Sequence, residues 1–194
     1  MKDIELLKKE IMMDPENKAF PDIGWEPIFQ APPTARILIA SQAPGLRSQE
    51  TNRTFYDVSG DLLREWLGVD MDTFYHSGMF GIVPMDYYFP GKAKHGDNPP
   101  RKAFANKWNQ QVLDKMPDLE LKIIIGAYAQ KFYLGKEMKR NLTETVRNYD
   151  EYLPEYFPVV HPSPLTIGWR RRNDWFDTEV VPELQRRVHD ILNR

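Results

Sequence analysis

The sequence predicts an α/β protein built on a four-stranded parallel sheet with helices on both faces. Three observations lead there. Four short apolar runs are spaced along the chain, at "RILIAS" (36–41), "GMFGIVPM" (78–85), "LKIIIGA" (121–127) and "YFPVVH" (156–161). Each is followed by a loop and then by a stretch with helical spacing. The runs are continuously apolar instead of alternating, as expected of strands covered on both sides.

Residues Asp3 to Met13 read as a short amphipathic helix with Ile4, Leu7, Ile11 and Met12 near one face. "FPDIGWEPIFQAPPTA" carries four prolines and a glycine, so it is an extended lead-in. After the first strand comes "QAPG", a tight turn. Ser59 is a candidate cap for a helix carrying Leu62, Leu63, Trp66 and Leu67. Beyond the second strand, "YYFPGKAKHGDNPP" is a loop, and Phe104, Trp108, Val112 and Leu113 have helical spacing. The third strand leads into "AYAQKFYLG", a helix closed by Gly135, and Asn141 can cap another that runs to about Arg147. Near the C-terminus Phe176, Val180, Val181, Leu184, Val188 and Ile191 share one helical face, with Pro182 marking a kink or a fresh start.

At 194 residues, 41% hydrophobic and 28% charged, the chain has an ordinary globular composition and enough length for a substantial core. It reads as a single domain over 1–194, with 1–35 as N-terminal helix and lead-in. The charged start does not resemble a signal peptide and no run approaches a membrane span, so a cytoplasmic protein with no membrane partner is expected. The absence of cysteine removes disulfides, thiolate nucleophiles and cysteine-bound zinc or iron–sulfur groups. A net charge of −2 argues against indiscriminate nucleic-acid binding but leaves room for a local basic patch at Arg170, Arg171 and Arg172.

In a parallel sheet of this kind the ligand site lies beyond the carboxyl ends of the strands. Two of those loops hold chemistry. After the first strand, Pro44 and Gly45 turn the backbone so that N–H groups can face a ligand, and Phe55 and Tyr56 offer aromatic faces. After the fourth, His161 ends the strand and Pro162 and Pro164 stiffen the turn beyond it. Within that turn Ser163 can bond an anion, and Leu165 projects without a helix or strand to bury it. Taken singly, these residues are as well explained by turn and core roles.

Taken together they are not. "SQAPG" at 41–45, "NRTFYDVSGDLL" at 52–63, "NPPRKAF" at 98–104, "LKIIIGAYAQKFYLG" at 121–135 and "HPSPL" at 161–165 resemble the uracil-DNA glycosylase superfamily, in the family's order. The resemblance implies a three-layer α/β/α domain. It also implies a reaction on DNA containing a damaged base: the nucleotide is flipped out and its N-glycosidic bond hydrolysed, as in base excision repair. By this resemblance Leu165 is the wedge, Phe55 the aromatic platform, and His161 a neutral imidazole that donates to the departing base. Ser163, Pro164 and Arg170 to Arg172 would grip phosphates. Ala43, Pro44 and Gly45 would line the base site.

Where several branches carry Asp, Asn or Glu to position water, this chain has Gln42 and Ala43. Gln42 is the first candidate for that role, with Asp57 and Asp61 as carboxylates further along the loop and Glu50 beside them. The family's base-reading asparagine falls at Gly81, at the expected end of the second strand, with Asp86, Tyr87 and Asn98 as substitutes. No cofactor or metal is implied, no iron–sulfur cluster is expected, and the chain is expected to act as a monomer with access to a bacterial-type nucleoid. Two other readings stay open: a catalytically weak or inactive nucleic-acid-binding relative, and a small-molecule enzyme on the same fold.

Overall fold

The computed structural model describes residues 3–194. Helix α1 (Ile4–Met13) leads to strand β1 (Ile37–Ala40), followed by α2 (Leu46–Thr51), α3 (Val58–Leu67) and α4 (Met71–His76). Next come β2 (Phe80–Ile82), α5 (Phe104–Leu113), β3 (Leu121–Ile125), α6 (Gly126–Leu134), α7 (Leu142–Arg147) and β4 (Tyr156–Val159). The chain ends with α8 (Ile167–Arg172) and α9 (Val181–Leu192). Among the described residues the four strands form one parallel sheet in the order β2-β1-β3-β4, with Ile37 opposite both Phe80 and Leu121, and Ile125 opposite Val159.

The pleat sorts the side chains into two cores. Ile37, Ile39, Ile123, Ile125, Phe157 and Val159 face one side, where Leu63, Trp66 and Leu67 of α3, Val146 of α7 and Leu184, Val188 and Ile191 of α9 cover them. Leu38, Ala40 and Ile124 face the other, under Leu7 and Ile11 of α1, Phe104, Trp108 and Val112 of α5, and Ala129 and Leu134 of α6. This is the three-layer α/β/α architecture. Burying both faces is what made the strand runs continuously apolar. Each fully buried aliphatic side chain contributes about 1.5–3 kcal/mol.

The order 2-1-3-4 reverses direction at β1, so the connections from β1 to β2 and from β2 to β3 leave on opposite faces. The crevice this opens beyond the strand ends is where such sheets hold ligands.

Several local expectations change. Asp57 caps α3, because its Oδ1 accepts from Gly60 N at 3.0 Å; Ser59 lies inside the helix. Gly81 sits in the middle of β2, not at its end, and a Cβ there would meet Met116 Sδ at 2.3 Å. It therefore faces the helix layer under α5 and cannot read a base. Leu165 is not in open loop: it lies in a 3₁₀ turn, Pro164–Thr166, that runs directly into α8. At the C-terminus a π turn over Phe176–Val180 runs directly into α9, with Val180 and Val181 both right-handed helical, so Pro182 does not mark a fresh helix start. Asn141 does cap α7, accepting from Glu144 N at 2.9 Å.

Candidate active site

The ends of β1, β2 and β4 meet at a cavity of about 100 Å³, lined by Ser41, Ala43, Pro44, Gly45, Ser48, Thr54, Phe55, Asp57, Ser59, Pro84, Asp97 and His161.

Phe55 owes its place to backbone geometry. Its φ of 53° is left-handed, which a bulky residue adopts only when its surroundings enforce it. The enforcement is visible. The Phe55 carbonyl accepts from Tyr75 Oη at 2.9 Å and from Arg64 Nη1 at 3.3 Å, and Tyr75 Oη also reaches the Thr54 carbonyl at 2.7 Å. Burial pushes the Tyr75 hydroxyl above its ordinary value, which keeps it protonated as a donor. Gly60 completes the fit, since a Cβ there would stand 1.7 Å from the Phe55 oxygen. Only glycine lets α3 begin this close to the loop.

Asp57 comes two residues later. Its Oδ1 is taken by the cap, while Oδ2 lies beside Gly45, 3.6 Å from where a Cβ would stand. Asp57 thus lines the cavity from the N-cap of α3, a position that favours negative charge.

His161 enters from the opposite side, at the end of β4. Burial lowers its pKa below the ordinary histidine value, and the charges of Asp57 and Asp97 oppose that shift. Desolvation is the larger cause, so the ring is neutral at pH 7. No side-chain hydrogen bond holds it among the described residues, which leaves an imidazole N–H free to donate.

The remaining sequence candidates divide. Ala43, Pro44 and Gly45 line the cavity with Phe55, Asp57 and His161. Gln42 does not, because its Nε2 donates to the Asn98 carbonyl at 3.0 Å and ties the first loop to the one after β2. Asp61 also lies away from the cavity, paired with Arg64 at 2.5 Å with its side chain 72% exposed. Asp86 is buried and grips Arg101 through both oxygens, at 2.7 Å each. Tyr87 donates to Asn109, and the Asn98 amide to the Pro90 carbonyl.

The "HPSPL" turn is internally braced. Ser163 Oγ accepts from Leu165 N at 3.2 Å and its carbonyl takes the Thr166 hydroxyl at 2.6 Å. Trp169, bonded through Nε1 to Thr143 Oγ1, and packed against Trp175 and Phe176, clamps α8 to the core. Leu165 is left 87% exposed, the most exposed large apolar side chain among the described residues. The three arginines separate. Arg170 pairs with Asp177 at 2.8 Å and lies over the Trp66 ring, whereas Arg171 and Arg172 point into solvent with no ion-pair partner among the described residues.

Sequence reasoning missed Asp97, Thr54 and Ser48. Asp97 immediately precedes the "NPPRKAF" stretch, and its only advance signal was that position.

Fold and cavity define a doubly wound α/β protein with a pocket at the strand ends. The family is settled by comparison: the chain belongs to the uracil DNA glycosylase superfamily, whose model matches residues 28–185. That membership gives it a DNA glycosylase-like role, in the class of DNA-repair hydrolases. Among solved structures it is similar to a solution NMR structure of a candidate uracil DNA glycosylase from Methanosarcina acetivorans. The two share 15% identity with a TM-score of 0.45, over 80% of this chain and 92% of that one. No helix among the described residues is long and apolar enough to cross a membrane.

Proposed function

We propose that this protein hydrolyses the N-glycosidic bond of a deaminated base flipped out of DNA. The observation that carries the reading is the meeting of an aromatic ring, a neutral imidazole and a carboxylate, from Phe55, His161 and Asp57, around one cavity at the strand ends.

Each group then has a task. Leu165 fills the space the base vacates, which offsets part of the few kcal/mol of unstacking. The base stacks on Phe55. As the bond from C1′ to the base nitrogen breaks, its electron pair moves onto the base and spreads to a ring carbonyl oxygen. The His161 N–H donates a hydrogen bond to that oxygen. A charged imidazolium is not required, because a preorganised neutral donor in a buried site already favours the developing charge. Water, oriented by the free oxygen of Asp57, adds its oxygen to C1′. Its proton is finally taken up by the base, so the products are the free base and an abasic deoxyribose. Arg171 and Arg172 are free to meet phosphates; Arg170 serves to hold α8.

The test uses oligonucleotides carrying uracil, hypoxanthine, xanthine or no lesion, treated with protein and then with alkali. Strand breaks with a deaminated base and none without it support the reading. Binding without breaks at any lesion replaces it with that of an inactive DNA-binding relative.

A further inference from the structure

We infer that Thr143 of α7, acting through Trp169, is a positioning residue for opening the duplex: it holds the segment that carries Leu165 in place. This role rests on the proposed glycosylase function.

That segment cannot hold its own shape. The 3₁₀ turn Pro164–Thr166 passes straight into α8, with Ile167 N bonded to the Pro164 carbonyl, so turn and helix form one piece. α8 has six residues, none of them buried, and Gly168 lies among them. Helices shorter than about 12 residues are marginal in water by themselves, and glycine weakens them further. Leu165, 87% exposed, adds almost no packing. The rigidity is therefore supplied from outside α8. Arg170 ties it to Asp177, and Trp169 ties it to α7. Trp169 Nε1 donates to Thr143 Oγ1 at 2.9 Å, and its ring meets Trp175 and Phe176 edge-on. The Asn173 amide closes the far end of α8 on the Trp169 carbonyl at 2.8 Å. α7 is fixed in turn. Asn141 caps it, Thr145 Oγ1 donates to the Asn141 carbonyl at 2.9 Å, and Val146 lies in the core. In its last turn Arg147 pairs with Glu179 at 3.0 Å and lies over the Trp175 ring. α7 thus braces the wedge segment directly through Trp169 and again through Trp175, on which Trp169 packs.

Neither Thr143 nor Trp169 lines the catalytic cavity, so the brace has no direct part in the chemical step. Its work falls on base extrusion. A duplex opposes a wedge with the stacking energy that the wedge interrupts. A leucine on a compliant segment yields to that opposition and leaves the gap. On a braced segment it keeps its place, because little motion remains to be frozen when DNA binds. The brace therefore matters where a stack must be held open, and not where there is none.

The experiment measures single-turnover excision of uracil and of hypoxanthine from duplex and single-stranded oligonucleotides. The proteins are the parent, Thr143→Val, Thr143→Ser, Leu165→Ala, and Leu165→Ala with Thr143→Val added. Valine keeps the shape of threonine but accepts no hydrogen bond, whereas serine keeps the acceptor. Thr143→Val should lower the duplex-to-single-strand rate ratio about 2- to 10-fold, the worth of one hydrogen bond, with the single-strand rate kept. Thr143→Ser should keep the parental ratio. A merely structural role would slow both substrates alike and leave the ratio where it was. In the Leu165→Ala background Thr143→Val should lower the ratio no further, since residues that act through one another are not additive. An unchanged ratio in Thr143→Val, or a fall of the same size in the Leu165→Ala background, overturns the inference while the glycosylase function stands. A parent that excises neither base removes the function, and the positioning role with it.

Discussion

Leu165→Ala offers the sharpest test of how this surface opens DNA. The side chain is 87% exposed in the free protein, so it has nearly all of its apolar area left to bury. Fully burying a leucine is worth about 1.5–3 kcal/mol, and 87% of that is about 1.3–2.6 kcal/mol. At about 1.4 kcal/mol per tenfold, truncation should slow excision from duplex DNA roughly 10- to 70-fold. An exposed side chain contributes little to folding, so thermal stability should change by less than about 0.5 kcal/mol. Single-turnover excision is measured on the same lesion in duplex and in single-stranded form. The penalty belongs to the duplex alone, because a single strand has no stack to hold open. Equal losses on both substrates would refute the wedge.

The histidine, the loop carboxylate and the arginines each have a distinct expected outcome. The His161 ring should titrate below 6.5 when observed by NMR, and Asp57→Asn should lower it further by removing a carboxylate that favours the proton. Because the unfolded chain takes that proton first, stability contributed by the neutral ring is present above pH 6.5 and is lost as pH falls toward the depressed value. His161→Ala should cost about 10²–10³ in turnover with DNA binding kept. Asp57→Asn preserves the cap, since asparagine caps as well as aspartate, so a loss of about 10² or more with unchanged stability would identify the water-positioning group. Gln42→Ala should instead act through the Asn98 loop, and a larger loss there than in Asp57→Asn would reverse the assignment. Replacing Arg171 and Arg172 together should flatten the salt dependence of duplex binding by about 0.9 for each phosphate no longer neutralised. Arg170→Ala should lower thermal stability by breaking its interactions with Asp177 and Trp66. A parental salt slope in the double variant would take both arginines out of the interface.

The layered sheet was legible in the sequence because strand burial is a local pattern. Ile37 to Ala40 and Ile123 to Ile125 are apolar on both faces, and no distant residue is needed to read that. The α7 cap at Asn141 was equally local, since it depends on side-chain geometry within one helical turn. The "HPSPL" stretch announced itself for the same reason: two prolines and an exposed leucine determine a turn by themselves. What the chain does with its polar side chains could not be read this way. Whether Gln42 faces the cavity depends on the Asn98 carbonyl, 56 residues away. Whether Gly81 can read a base depends on Met116, and whether Arg170 is free depends on Asp177 and Trp66. Asp97 reaches the cavity only because a glycine-turned loop folds back over the end of β1. Hydrophobic patterning tracks the period of the backbone, which the sequence carries residue by residue. Hydrogen bonds and ion pairs are directional and short-ranged, so their partners are chosen only when the tertiary fold brings distant segments within about 3 Å.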